Sequence, residues 1–115
     1  MKDKDITEDI SPFKALDFIR DNAKKYAHAK ADVLYLSEFR KTKKALLMIE
    51  SDAKTESAKE SYAYAHVDYI KHLEALREAV AISEQLRWQF VAAEAKIEVW
   101  RSYEASKRIE IKSTS

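Results

Sequence analysis

A chain of 115 residues with no glycine and a single proline has few ways to turn. Glycine supplies the left-handed backbone conformation that most helix C-caps and strand hairpins need, and proline pre-sets the first residue of many tight turns. A chain without them must run long and reverse seldom. Ala, Glu, Lys, Leu and Arg are abundant, and these residues form helices readily. The expected fold is therefore all-α: a long antiparallel helical hairpin of two or three helices, coiled-coil-like in its packing. At this length it is one domain with a modest core.

The clearest pattern runs from Tyr62 to Trp100. Steps of three and four residues connect Tyr62, Ala65, Tyr69, His72, Leu76, Ala79, Ser83, Leu86, Phe90, Ala93, Ile97 and Trp100, which is a coiled-coil-like seam. A second apolar row, Trp88, Val91, Ala92, Ala95 and Val99, lies on the opposite side at helical intervals. One stripe needs one partner surface, and this helix needs two. The first half of the chain can cover only one of them. The second row predicts self-association, with two hairpins dimerising into a helical bundle.

Residues 1–10 hold four acids and two lysines with little apolar content, and predict a flexible N-terminal arm. Ser11-Pro12 marks a helix start, with serine at the N-cap and proline at the first helical position. Phe13, Leu16, Ile19, Ala23 and Tyr26 follow at helical spacing, and Val33, Leu36, Phe39, Leu46, Ile49 and Ala53 form a later row. Between Asp21 and Asp32 lysines interrupt the pattern. Residues 11–56 are then one helix with a weak middle or two with a break near Lys25–Lys30. Val33–Leu36 and Ala45–Ile49 have strand-like composition but no flanking turn residues, so helix is the better reading.

The helical domain is expected over 11–112, with its reversal near 51–66. Ser57-Ala58-Lys59-Glu60 matches a capping box, and His66–Asp68 offers an alternative restart. The last helix should reach about Arg108, with 113–115 frayed.

The same missing glycines exclude phosphate-cradling loops, dinucleotide fingerprints and serine-nucleophile elbows. No cysteine is present, so thiol chemistry and disulfides are excluded. None of the three histidines has a glutamate three residues before it, so the Glu-x-x-His pattern of di-iron bundles fails. Asp68 and His72, at i and i+4, can share a hydrogen bond in the seam, with metal sharing the lesser reading. The chain reads as a non-enzyme without metal or cofactor, and no small-molecule substrate is expected. No apolar run approaches a membrane span and the N-terminus lacks a signal-peptide pattern, so a cytoplasmic location and no membrane partner are expected.

Charged residues form 36% of the chain and nearly cancel to +1, but their distribution is uneven. Nine bases and four acids lie between Pro12 and Met48; four bases and seven acids lie between Ile49 and Ala79. Lys24, Lys25, Lys30, Arg40, Lys41, Lys43 and Lys44 are candidates to follow a phosphate backbone, with Tyr26 among them and Arg40, Lys43 and Lys44 on one helix face. The competing reading is a solvated helix surface. The Trp88 row (Trp88, Val91, Ala92, Ala95, Val99) is the candidate protein interface, with burial within the chain as its alternative.

The stretch Tyr69…Leu76-Arg77-Glu78-Ala79-Val80…Leu86-Arg87-Trp88…Ala93…Ile97-Glu98-Val99-Trp100-Arg101-Ser102…Glu104-Ala105 resembles small helical proteins of tailed phages and prophages. Such proteins are encoded beside DNA recombination and replication genes and carry no assigned activity. The resemblance spans about half the chain and brings no catalytic motif. It implies an accessory role near DNA transactions. The expected function is an oligomeric helical accessory protein that binds DNA or a DNA-processing protein through its basic N-terminal half. A protein-only adaptor or inhibitor that docks through helix faces is the alternative.

Overall fold

The computed structural model describes residues 11–114. They form three helices and no strand: α1 (Pro12–Glu50), α2 (Glu56–Ala65) and α3 (Val67–Thr114). The fold is an all-α helical hairpin. The acidic arm expected over 1–10, and Ser115, lie outside the described residues.

α1 begins where the sequence marks it, with Pro12 the first helical residue and the Ser11 carbonyl accepting from Ala15 N at 3.3 Å. It then runs unbroken through the lysine-rich stretch to Glu50. Lysine is a good helix former, so charge interrupts the apolar pattern there without interrupting the helix.

The reversal is made without any residue at positive φ among the described residues. Two breaks in extended backbone, with a ten-residue helix between them, replace the missing glycine turn. At the end of α1, Ser51 N donates to Leu47 O and Met48 O, and Ala53 N donates to Ser51 Oγ at 3.1 Å. Thr55 (φ −111°, ψ 154°) then caps α2, its Oγ1 accepting from Ala58 N at 3.1 Å. The capping box expected at Ser57 is not the cap; α2 starts two residues earlier, because the Thr55 hydroxyl reaches an open N–H first. Glu56 adds a favourable charge in the first turn.

His66 makes the second break at φ −69°, ψ 138°. Its Nδ1 accepts from Asp68 N at 3.0 Å, and its carbonyl accepts from Tyr69 N and Ile70 N. It therefore caps the start of α3, doing with an imidazole what Ser or Asp usually does. The break resets the helical phase, so Tyr62 and Ala65 leave the expected seam and Ala63 is buried instead. α3 ends later than expected. It continues to Thr114, where the hydroxyls of Ser113 and Thr114 bond back to Ile109 O and Glu110 O.

The described residues form two compact units: 11–24 with 85–114, and Lys25–Glu84. In the first, Ala15 and Ala93 are buried and Phe18 meets Phe90 with centroids 5.5 Å apart. In the second, Ala29 and Ala79 are buried and line one cavity, and Leu47, Ala63 and Tyr69 make a small cluster with Met48 beside it.

From Tyr69 onward the α3 seam follows the expected 3–4 repeat. Tyr69, His72, Ala79, Leu86 and Ala93 are buried, and Leu76, Ser83, Phe90, Ile97 and Trp100 half-buried. The α1 rows hold in part, with Ile19, Tyr26, Val33, Leu36 and Phe39 half-buried, and need correction elsewhere. Phe13, Leu16, Ala23, Leu46 and Ile49 face outward, and Ala15, Asn22, Ala29 and Leu47 take inward positions. Two close-packed helices can use small residues where they meet, so large apolar side chains alone do not mark the seam. Asn22 is satisfied there by its Nδ2 donating to Phe18 O at 2.9 Å.

The core is thin. Five of its eight apolar members are alanine (15, 29, 63, 79 and 93), and no large side chain is fully buried among the described residues. No helix among them is long and apolar enough to cross a membrane.

Candidate functional site

Two surfaces carry the candidate residues. The first is the outer face of α3 in the unit that contains Gln85–Ser115. Trp88, Val91, Ala92, Ala95 and Val99 are all exposed there, Trp88 by 60% and Val99 by 51%. Stepping four and three residues along this face gives Gln85, Trp88, Ala92, Ala95, Val99, Ser102, Ser106, Ile109 and Ser113, nine exposed positions without one charge. A chain that is 36% charged would place about three there. The face therefore repeats the seam rhythm on a side turned away from the seam, with Ala92 at its edge also bordering a cavity lined by Lys14, Ala15 and Phe18 of α1.

Its borders are polar. Arg101 Nη1 bonds Glu98 Oε1 at 2.8 Å, an exposed pair that contributes register more than stability. The Arg87 guanidinium lies over the Trp88 ring, 4.5 Å from its centroid, so Arg87 shields an aromatic face from water.

The second surface is in the Lys25–Glu84 unit. Arg40, Lys41 and Lys44 converge with Tyr64 and Tyr69 around a shallow cavity of about 350 Å³. The other predicted bases are not part of it. Lys43 is half-buried on α1, and Lys30 Nζ sits 5.5 Å from the Tyr26 ring. Lys25 borders a separate cavity with His28, Ala29, Asp32, Ala79 and Ile82, and Lys24 is exposed in the other unit. Of the sequence face shared by Arg40, Lys43 and Lys44, Arg40 is exposed, whereas Lys43 and Lys44 are half-buried.

Lys44 shows this most clearly. Its Nζ bonds Glu60 Oε1 at 3.1 Å and lies 4.8 Å from the Tyr64 ring centroid. Its contact with Tyr64 and then its hydrogen bond to Glu60 raise its pKa above the ordinary lysine value. Lys44 thus pins α2 to α1. Lys41 has a looser exposed partner, Glu38 at 3.6 Å. Nothing in the sequence links Tyr64 to Lys44, twenty positions upstream; the two meet only because the chain reverses between them.

His72 sits in the seam as expected, but its partner is not Asp68. Its Nε2 donates to Leu36 O at 2.7 Å, and the Phe39 ring packs beside it at 5.8 Å. A carbonyl can only accept, so the proton is on Nε2. Asp68 instead lies beside His66, Oδ2 to Nδ1 3.8 Å, because the break at His66 swings the first turn of α3 toward that ring. No group of three or more His, Cys, Asp or Glu side chains is arranged to hold a metal among the described residues.

Comparison with protein families, curated proteins and solved structures finds no match for this chain.

Proposed function

We propose that this chain is a non-enzymatic helical interaction protein that self-associates through the outer face of α3. The observation that carries the reading is the uncharged, exposed row from Gln85 to Ser113, which holds Trp88, Val99 and Ile109. An uncharged helix face that exposes Trp88, Val99 and Ile109 supports an interaction role. The thin alanine-rich core supports the same reading, since a hairpin with so little buried apolar surface gains much of its stability from assembly. Light scattering of the purified protein tests it. The wild type should elute above monomer mass and Val99→Glu at monomer mass; a monomeric wild type at about 100 µM, a concentration at which interfaces with micromolar Kd are filled, would end the proposal.

A second reading, nucleic-acid binding by the basic half, is favoured by one observation: Arg40 and Lys41 rim a cavity beside the exposed Tyr64. Cations beside aromatic rings can follow phosphates and stack on bases. The resemblance to small phage proteins gives this reading its context, an accessory factor beside DNA transactions. Lys44 counts against a broad basic patch, being held by Glu60. Binding measured at low and high salt separates the two readings. Arg40→Glu with Lys41→Glu should abolish a salt-sensitive affinity for DNA, and no binding at low salt leaves the protein-only adaptor.

A further inference from the structure

We propose that a second copy of this chain lies antiparallel on the outer face of α3, with Ala92 of each copy opposite Ala95 of the other. The inference rests on the self-association reading above and adds direction and register to it.

The face is self-complementary in this register. Setting Ala92 against Ala95 brings Trp88 of each copy to Val99 of the other and Gln85 to Ser102. The smallest layers lie at the two-fold axis, where helices approach closely, and a large layer flanks them on each side. A parallel, in-register pair would instead stack Trp88 on Trp88 beside Ala92 on Ala92, a bulky layer next to a hollow one. Antiparallel pairing also opposes the helix dipoles favourably.

Charge selects among the antiparallel registers. In the proposed one, over residues 84–105, the bordering Lys96 meets Gln89 of the second copy and Glu98 meets Val91, so no like charges face each other in this central stretch. Farther out, Ile109 meets Glu78 and Lys112 meets Arg77. A shift by one heptad toward the C-terminus sets Lys96 on Lys96 and Glu98 on Glu98 at the axis. A shift the other way sets Glu84 on Glu98. Like charges opposed across a helical interface disfavour those registers, less so where Glu98 is already paired with Arg101.

The chain has no cysteine, so single introduced cysteines report contacts without background. Ala92→Cys and Ala95→Cys, mixed and oxidised, should form the heterodisulfide; Gln85→Cys mixed with Ser102→Cys gives a second, independent pair. Ile109→Cys alone should stay uncrosslinked, because its two copies would be about 46 Å apart along the helices and a disulfide needs Cα atoms within about 7 Å. The expected contrast in yield between the mixed pairs and Ile109→Cys is at least about tenfold. Light scattering of each reduced variant at the same concentration verifies that it still assembles. An Ile109→Cys homodisulfide in an associating protein would overturn the proposed arrangement, and failure of both mixed pairs would overturn its register. A wild type that never associates would instead sink the self-association reading itself.

Discussion

Leu46 and Leu47 are adjacent, chemically identical and placed in opposite environments. Leu47 is 4% exposed, packed in the cluster with Ala63 and Tyr69; Leu46 is 55% exposed. Truncating a buried leucine to alanine costs its transfer free energy plus the cavity left behind, about 2–5 kcal/mol. Here the cluster is small and Met48 packs against it. Methionine can move into part of the gap, so Leu47→Ala should cost about 2–3 kcal/mol, at the lower end of that range. In a domain of this size that lowers Tm by about 10 °C or more. Leu46→Ala should stay within about 0.5 kcal/mol of the wild type. Urea denaturation followed by circular dichroism at 222 nm measures both, at one fixed protein concentration, because any self-association makes apparent stability depend on concentration. Equal costs, or a larger cost for Leu46→Ala, would refute the register assigned to α1 and return Leu46 to the inward row.

Three further predictions follow from particular contacts. The Lys44 pKa is raised in the folded state, so its contribution is complete below the ordinary lysine value of 10.5 and is lost as pH rises through the higher folded value. Proteolysis of the α2 region should accelerate above that pH in the wild type and show no such step in Lys44→Met; an identical profile in both would refute the clamp. Thr55→Ala removes the α2 cap at a cost of about 1 kcal/mol, visible as faster amide exchange in α2 with α3 unchanged. Loss of protection spread evenly over α3 would contradict a local cap. His72→Leu should cost about 1 kcal/mol, the net value of its bond to Leu36 O, and His72→Ala distinctly more, because it also opens a cavity; the reverse order in urea denaturation would show that polarity outweighs packing there.

How far the fold was legible depended on what each position offered. The α3 seam could be read because Tyr69, Leu76, Leu86, Phe90, Ile97 and Trp100 are large and fall at steps of three and four. The α1 seam was partly legible: the predicted Ile19, Tyr26, Val33, Leu36 and Phe39 are half-buried, whereas Ala15, Asn22 and Ala29 share the inward side and Phe13, Leu16 and Ile49 point outward. A scan for large apolar residues misses those small members of the seam. Absence of glycine foretold few reversals, but not that Thr55 and His66 would make them in extended backbone. The Trp88 row was visible as a second row, and its exposure in the structure agrees with its being unsatisfied within the chain. The basic site was only half legible: Arg40, Lys41 and Lys44 are local in sequence, whereas Tyr64, Tyr69 and Glu60 arrive by the fold. The acceptor for His72 is a backbone carbonyl, which leaves no signature in sequence at all.

Sedimentation equilibrium of the wild type and Trp88→Glu over a range of concentrations tests the central claim most directly. Trp88 is 60% exposed in the single chain, so burying the rest of it on assembly contributes on the order of 1–2 kcal/mol, and a charge in its place must also be desolvated. The substitution should therefore weaken association by at least about tenfold while leaving the helical circular dichroism intact, since the side chain supports no contact across the hairpin seam. A wild type that remains at monomer mass throughout, or a Trp88→Glu variant that associates as tightly as the wild type, would contradict the account.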